Sequence, residues 1–138
     1  MTRVIASVLA RDRGQVLRDA RRAAMLGADW LELRLDHWSP HEDLAPLFAR
    51  IGLPVLVACR TPDDGGAWRG TLTERRELLT RALKAGAQGL DLEQWETWNP
   101  PAGGTRLRLR ILERLVQTQL RGTAYRFEVH GGKGSQVC

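Results

Sequence analysis

Short apolar runs alternate with segments of helical periodicity along the first ninety residues. Four runs predict strands, at residues 4–9, 31–35, 55–59 and 89–93, because they are apolar and bounded by turn residues. Between them, apolar side chains recur on one helical face in residues 15–26 and again after Thr71. Strands that alternate with helices in this way predict an α/β fold with a parallel sheet.

Glycines and capping residues mark the ends of these predicted helices. Gly27 and Gly86 each follow a helical segment, where glycine can take the left-handed conformation that ends a helix. Ser39 and Thr71 each begin a segment with capping-box spacing. They predict a short helix that ends at Gly52 and a longer helix before Gly86.

Charged side chains stand in or directly after two of the predicted strands. Glu32 and Arg34 are two residues apart, so they project from one face of their strand, and Arg60 follows the next strand. A charge buried on a sheet is costly unless it is paired or meets a ligand. The residues alone leave two interpretations open: a structural ion pair, or a binding site at the carboxyl edge of a parallel sheet.

The ordered set of motifs resembles type I 3-dehydroquinate dehydratase, the Schiff-base lyase of the shikimate pathway. The chain carries Gly-Ala-Asp followed by Glu-x-Arg-x-Asp at 27–36, Cys-Arg at 59–60, Asp-Asp-Gly-Gly at 63–66 and Gly-Ala-x-x-Leu-Asp-x-Glu at 86–93. The resemblance covers about residues 3–98. It implies the first four βα units of a partial (β/α)₈ TIM barrel, since a whole barrel needs about 200–250 residues.

The resemblance also implies roles for individual residues. Glu32, Arg34 and Arg60 would bind the substrate, 3-dehydroquinate. Asp64 stands where the family has a glutamate that orients a catalytic histidine, and His130 is the loose counterpart of that histidine. In the family, a lysine Schiff base and acid–base groups remove water to give 3-dehydroshikimate.

Neither lysine of the chain matches the family's Schiff-base lysine. Lys84 falls at the end of the third predicted helix, and Lys133 lies in a glycine-rich tail without phosphate-loop spacing. We therefore expect weak or no dehydratase activity from this chain. Four parallel strands without barrel closure would leave both edges of the sheet unpaired, so we also expect a homodimer or completion by another chain. No Cys/His spacing suggests a metal, so no metal or organic cofactor is expected.

Charge divides the chain near residue 98. Residues 1–98 contain 14 basic and 14 acidic side chains, whereas residues 99–138 contain seven basic and two acidic ones. We predict an N-terminal half barrel over 1–98 and a divergent, arginine-rich segment over 99–138. In that segment, residues 106–120 fit a helix, although the first six of them alternate like a strand, and residues 125–129 predict a strand.

Two alternatives to the half-barrel enzyme stay open. The chain could be a remodelled, non-catalytic module whose basic tail binds an acidic partner or nucleic acid. The aromatic interleaving typical of nucleic-acid binding is missing, which argues against nucleic acid. Alternatively, the tail is an out-of-frame translation of a fuller gene.

The sequence shows neither a membrane span nor a secretory signal. No apolar run approaches about 18 residues, and the N-terminus opens directly into a strand-like segment. Cys59 and Cys138 form no disulfide framework. We therefore expect a cytoplasmic protein with no membrane partner.

Overall fold

Four parallel strands form the centre of the fold. The structure is a computed structural model that describes residues 2–93, 95–100, 105–107, 114–116 and 124–128, with side chains for 3–93 and 95–100. The central strands are β1 (Thr2–Leu9), β2 (Trp30–Arg34), β3 (Val55–Ala58) and β4 (Gly89–Asp91). Each pairs in parallel with the next along the chain, which confirms the predicted α/β half barrel.

Two long helices begin and end where local sequence signals place them. They are α1 (Arg13–Met25) and α3 (Leu72–Ala85). Thr71 and Glu74 form the predicted capping box of α3, with each side chain accepting from the other residue's backbone N–H. Gly27 and Gly86 take positive φ angles of 88° and 118°, as expected beyond a helix end.

The short helix α2 (Ala45–Phe48) begins later and ends earlier than predicted. The capping box expected at Ser39 is wrong, because the Asp43 carboxylate accepts from the Ala45 N–H at 3.0 Å and the helix starts there. Pro46 therefore lies in the first turn, where a missing N–H leaves no helical hydrogen bond unmade.

Both edges of the four-stranded unit are paired by later segments. Strand β5 (Thr105–Leu107) adds in parallel to β4, and β7 (Ala124–Glu128) adds antiparallel to β1, with β6 (Arg114–Val116) beside β7. The strand order in the sheet is β5-β4-β3-β2-β1-β7-β6. The strand predicted at 125–129 is confirmed over its described part. The helix predicted at 106–120 is wrong at 106–107 and 114–116, which lie in strands. The expectation that β1 and β4 would be unpaired edges is also wrong, because β7 and β5 pair with them.

The helices cover one face of the sheet and leave charged residues on the other. Parallel neighbours joined by right-handed crossovers place their connecting helices on one face. Leu31, Leu33 and Val57 of that face make the core together with Val16 of α1 and Leu78 of α3. Alternation puts Glu32 and Arg34 on the opposite face, which is the interior of a closed barrel. Within the described part, no helix is long and apolar enough to cross a membrane.

Candidate active site at the carboxyl edge of the sheet

The register of three strands brings charged residues together at one edge. Arg34 pairs with Ala58 across β2 and β3, and Arg60 follows two residues later with the same facing. Asp91 ends β4, the next strand of the sheet. Glu32 and Asp91 both reach Arg60, so three neighbouring strands contribute one group each to a single cluster.

This cluster consists of one guanidinium between two buried carboxylates. Nη2 of Arg60 lies 2.5 Å from Oδ2 of Asp91 and 3.9 Å from Oε1 of Glu32. Glu32 and Asp91 are only 4% and 3% exposed, while the Arg60 side chain keeps 18% of its surface. Two carboxylates thus share one counter-charge in a site that is largely closed to water.

Burial strongly favours the neutral form of Asp91. Burial raises the pKa of Asp91 to about 9, and its hydrogen bond to Glu32 and the Glu32 charge act in the same direction. The short contact to Arg60 opposes this shift, but one guanidinium does not offset burial and a second carboxylate together. At neutral pH the carboxylate pair therefore keeps a proton.

Arg34 makes a separate ion pair at the same edge. Its Nε and Nη2 lie 3.1 Å and 2.5 Å from the two carboxylate oxygens of Asp36. Asp36 also accepts from the backbone N–H groups of Arg60 and Ala67, both at 3.1 Å. Burial acts to raise the pKa of Asp36, but the hydrogen bonds from Arg34, Arg60 and Ala67 lower it overall. Asp36 therefore stays ionised and ties the end of β2 to the loop after β3.

That loop needs a glycine to approach Arg60 closely. A Cβ atom on Gly66 would lie 2.1 Å from the carbonyl oxygen of Arg60. The Gly66 N–H donates to the Thr61 carbonyl at 2.8 Å, and Gly65 takes a positive φ of 77°. The Gly-Gly pair thus folds the loop back against the residue that carries the cluster's positive charge.

Asp64 lies in a short 3-10 turn (Pro62–Asp64) of the same loop. Its carboxylate accepts from the Thr61 hydroxyl at 2.9 Å and from Nε1 of Trp95 at 3.0 Å and 3.2 Å. His130 lies outside the described residues. The predicted pairing of Asp64 with His130, and the catalytic role of both, stay predictions.

The lysine that the structure describes lies apart from the cluster. Lys84 is exposed near the end of α3 and lines a groove of about 670 Å³ together with His41, Arg76 and Arg81. None of the residues that line this groove belongs to the Glu32–Arg60–Asp91 cluster. Lys133 lies outside the described residues.

Sequence reasoning missed a buried arginine, Arg75, whose hydrogen bonds hold together the segments next to the site. Arg75 is fully buried at the start of α3, and its Nε donates to the Cys59 carbonyl at 2.5 Å. Its two other nitrogens donate to Glu93 and, at 2.8 Å, to Glu96. The helix, the end of β3 and the segment after β4 are thereby fixed to one another. The spacing of Glu93 and Glu96 is a sequence signal, but their partner lies about twenty residues away.

Cys59 is a structural thiol. Burial first, and then the charge of Asp36, raise the pKa of Cys59 to about 12. A thiol that stays protonated at physiological pH is a poor nucleophile and metal ligand. Among the described side chains, no group of three or more His, Cys, Asp or Glu residues is placed to hold a metal ion.

The fold and the charged edge are those of the first half of a (β/α) barrel. The family model for Type I 3-dehydroquinase matches residues 4–100, which include every member of the cluster and the four central strands except the first two residues of β1. The chain therefore belongs to the type I 3-dehydroquinase family.

Curated relatives match the same region. A 3-dehydroquinate dehydratase of Ignicoccus hospitalis is 38% identical over 88 residues, which cover 60% of this chain and 40% of that protein. One from Methanosarcina barkeri is 36% identical over 96 residues, 64% of this chain and 40% of its own length. The chloroplastic bifunctional 3-dehydroquinate dehydratase/shikimate dehydrogenase of Arabidopsis thaliana is 34% identical over 93 residues, 65% of this chain and 15% of that protein. The chain thus spans 40% or less of these three relatives.

Proposed function

We propose that this chain is the N-terminal half of a 3-dehydroquinate dehydratase-like barrel, which binds 3-dehydroquinate and turns it over weakly or not at all. The observation that carries the proposal is the buried Glu32–Arg60–Asp91 cluster at the carboxyl edge of a parallel sheet. In barrels of this kind the active site forms at that edge. Residues 1–98 would be the barrel half and residues 99–138 the divergent segment.

The chemistry of the cluster suits a hydroxylated carboxylate such as 3-dehydroquinate. Glu32 can accept hydrogen bonds from substrate hydroxyls, and protonated Asp91 limits the negative charge that an anionic substrate would meet. A guanidinium has five N–H donors, so Arg34 has donors left for substrate beyond the two that face Asp36. Charge-assisted hydrogen bonds of this type are about twice as strong as neutral ones.

The dehydration itself requires groups that the described residues do not bring together. The reaction removes a proton next to the ketone and expels a neighbouring hydroxyl as water. In the family, a lysine amine condenses with the ketone to form an imine, with loss of water, and the protonated imine accepts the electron pair that remains when the neighbouring proton is removed. We propose that Asp64 and His130 serve the proton transfer, and that a second copy or another chain completes the site by supplying the amine. A cytoplasmic location is part of the same proposal.

Binding of 3-dehydroquinate to the full chain tests this function. Isothermal titration should detect weak binding that Arg60→Gln reduces at least about tenfold, because a hydrogen bond to a charged group contributes about 1.5–3 kcal/mol. The matched control is Arg81→Gln, which removes the same charge from an exposed position on α3.

The circular dichroism spectra of the Arg60 and Arg81 variants should match the spectrum of the parent if both variants retain the fold. Equal affinity of the parent and the Arg60 variant, or no binding by the parent, would contradict the proposed substrate site.

A further inference from the structure

The equal counts of basic and acidic side chains in residues 1–98 do not describe the surface of this region. Five of its 14 acidic side chains are buried, namely Glu32, Asp36, Asp91, Glu93 and Glu96. Of its 14 basic side chains, one is buried, Arg75. The accessible charge of the barrel half is therefore positive, although the sequence alone suggests a neutral surface.

Part of this positive charge is concentrated on the solvent face of α1. Arg18, Arg21, Arg22 and Met25 have the spacing i, i+3, i+4 and i+7, which places them on one face of a helix. All four are exposed, and the three arginines form no ion pair with any residue that the structure describes. The opposite face packs into the core through Val16 and other small apolar residues.

Two exposed apolar side chains adjoin these arginines. Met25 is 86% exposed and Leu26 is 64% exposed, more than any other large hydrophobic residue that the structure describes. They stand at the turn that leads into the N-terminal end of β2, so they lie toward the edge of the sheet opposite the charged cluster. Arg18, Arg21, Arg22, Met25 and Leu26 together are the α1 surface.

We propose that the α1 surface attaches the protein reversibly to an anionic lipid bilayer. Guanidinium groups bind headgroup phosphates, and basic residues on a helix favour negatively charged membranes. Met25 and Leu26 can enter the boundary between headgroups and acyl chains, where an exposed apolar side chain is stabilised. Nucleic acid would engage the arginines but would leave the two apolar side chains in water.

This attachment is independent of the proposed dehydratase function and keeps the charged edge accessible. The expectation of no membrane partner rested on the lack of a spanning segment, and peripheral attachment needs none. Because α1 leads away from the carboxyl edge of the sheet toward Met25, a bilayer at that end leaves the carboxyl edge facing solution.

Co-sedimentation of the full chain with lipid vesicles tests the proposal. Vesicles of phosphatidylcholine containing about a third phosphatidylserine should bind the parent at low salt, and vesicles of pure phosphatidylcholine should not. Arg18→Gln/Arg21→Gln/Arg22→Gln should weaken binding about a hundredfold, since each basic residue near the surface contributes about 1 kcal/mol, a factor of about five. Met25→Gln should weaken it about tenfold through lost apolar burial.

The matched control is Arg50→Gln/Arg69→Gln/Arg81→Gln, which removes the same charge from exposed positions outside α1. Both triple variants keep residues 99–138, and this basic segment therefore contributes equally to the vesicle binding of each. Selective loss of vesicle binding in the α1 triple variant, with unchanged circular dichroism, supports the proposal. Equal loss in both triple variants, or no binding by the parent, overturns it. If the parent binds a labelled single-stranded RNA oligonucleotide but not the vesicles, the partner is nucleic acid and the proposal fails.

Discussion

Asp91 shows how burial determines the chemistry of one carboxyl group. The unfolded chain releases this proton near the ordinary value of 3.8, whereas the folded protein holds it until about pH 9, the raised pKa of Asp91. Between these values folding takes up a proton, so the contribution of Asp91 to stability is greatest at low pH. It falls as pH rises from about 4 and levels off above about 9.

Asp91→Asn therefore should flatten the pH dependence of stability. The amide stays neutral at every pH, accepts from Arg60 through its oxygen and donates to Glu32 through its nitrogen. We expect the free energy of unfolding of Asp91→Asn to exceed that of the parent near pH 8 by more than about 1.4 kcal/mol, the cost of one pH unit, because pH 8 lies well above the ordinary pKa of 3.8 at which Asp91 of the unfolded parent releases its proton. Urea unfolding followed by tryptophan fluorescence from about pH 5 to about pH 9 measures this. Asp63→Asn, at an exposed position, is the control, and parallel curves for parent and Asp91→Asn would count against the shared proton.

The sequence predicted members of the site only where a short local pattern identified them. Glu32 and Arg34 share a strand face by their spacing, and Arg60 follows from the next strand. Asp91 has the same two-residue spacing from Glu93, but it was missed as a cluster member because its contact with Arg60 depends on the register between β3 and β4. The pairing of Arg34 with Asp36, rather than with Glu32, depends on how the chain turns after β2, which the alternation of side chains does not reveal.

At the scale of elements, the two predicted capping boxes had different outcomes. The box at Thr71 precedes a 14-residue helix whose apolar face packs on the sheet. The box at Ser39 precedes only four helical residues, and the buried Leu44 and Leu47 set where that helix begins. Tertiary burial therefore decides between competing local start signals.

This contrast predicts different costs for two similar substitutions. Thr71→Ala removes the side-chain oxygen that accepts from the Glu74 N–H, and should lower the free energy of unfolding by about 1 kcal/mol. Ser39→Ala removes no helix cap and should stay within about 0.5 kcal/mol of the parent. Urea unfolding of the two variants under identical conditions gives both values. Equal destabilisation would mean that the cap at Thr71 contributes nothing specific.

At the scale of the whole molecule, strands from after residue 98 extend the sheet, and the pattern of the first 98 residues does not predict this extension. Strand β7 adds antiparallel to β1, whereas the strands of a closed barrel of this class are all parallel. Unpaired strand edges attract further strands, which accounts for pairing at β1 and β4. At residues 106–107 and 114–116 the helical periodicity was misleading, because short edge strands are specified by the neighbour they pair with more than by their own pattern.

The same architecture predicts that the chain does not form a Schiff base at Lys84. Imine formation needs an amine enclosed with the substrate ketone, and Lys84 is exposed in a groove that contains no cluster residue. Borohydride added with 3-dehydroquinate would convert an imine to a stable adduct, so mass spectrometry should find none on Lys84, and turnover should be weak or absent. The full-length dehydratase of Ignicoccus hospitalis serves as the positive control, and Lys84→Arg as the matched variant. An adduct that disappears in Lys84→Arg, or one mapped to Lys133, together with turnover, would show that this chain supplies its own catalytic amine.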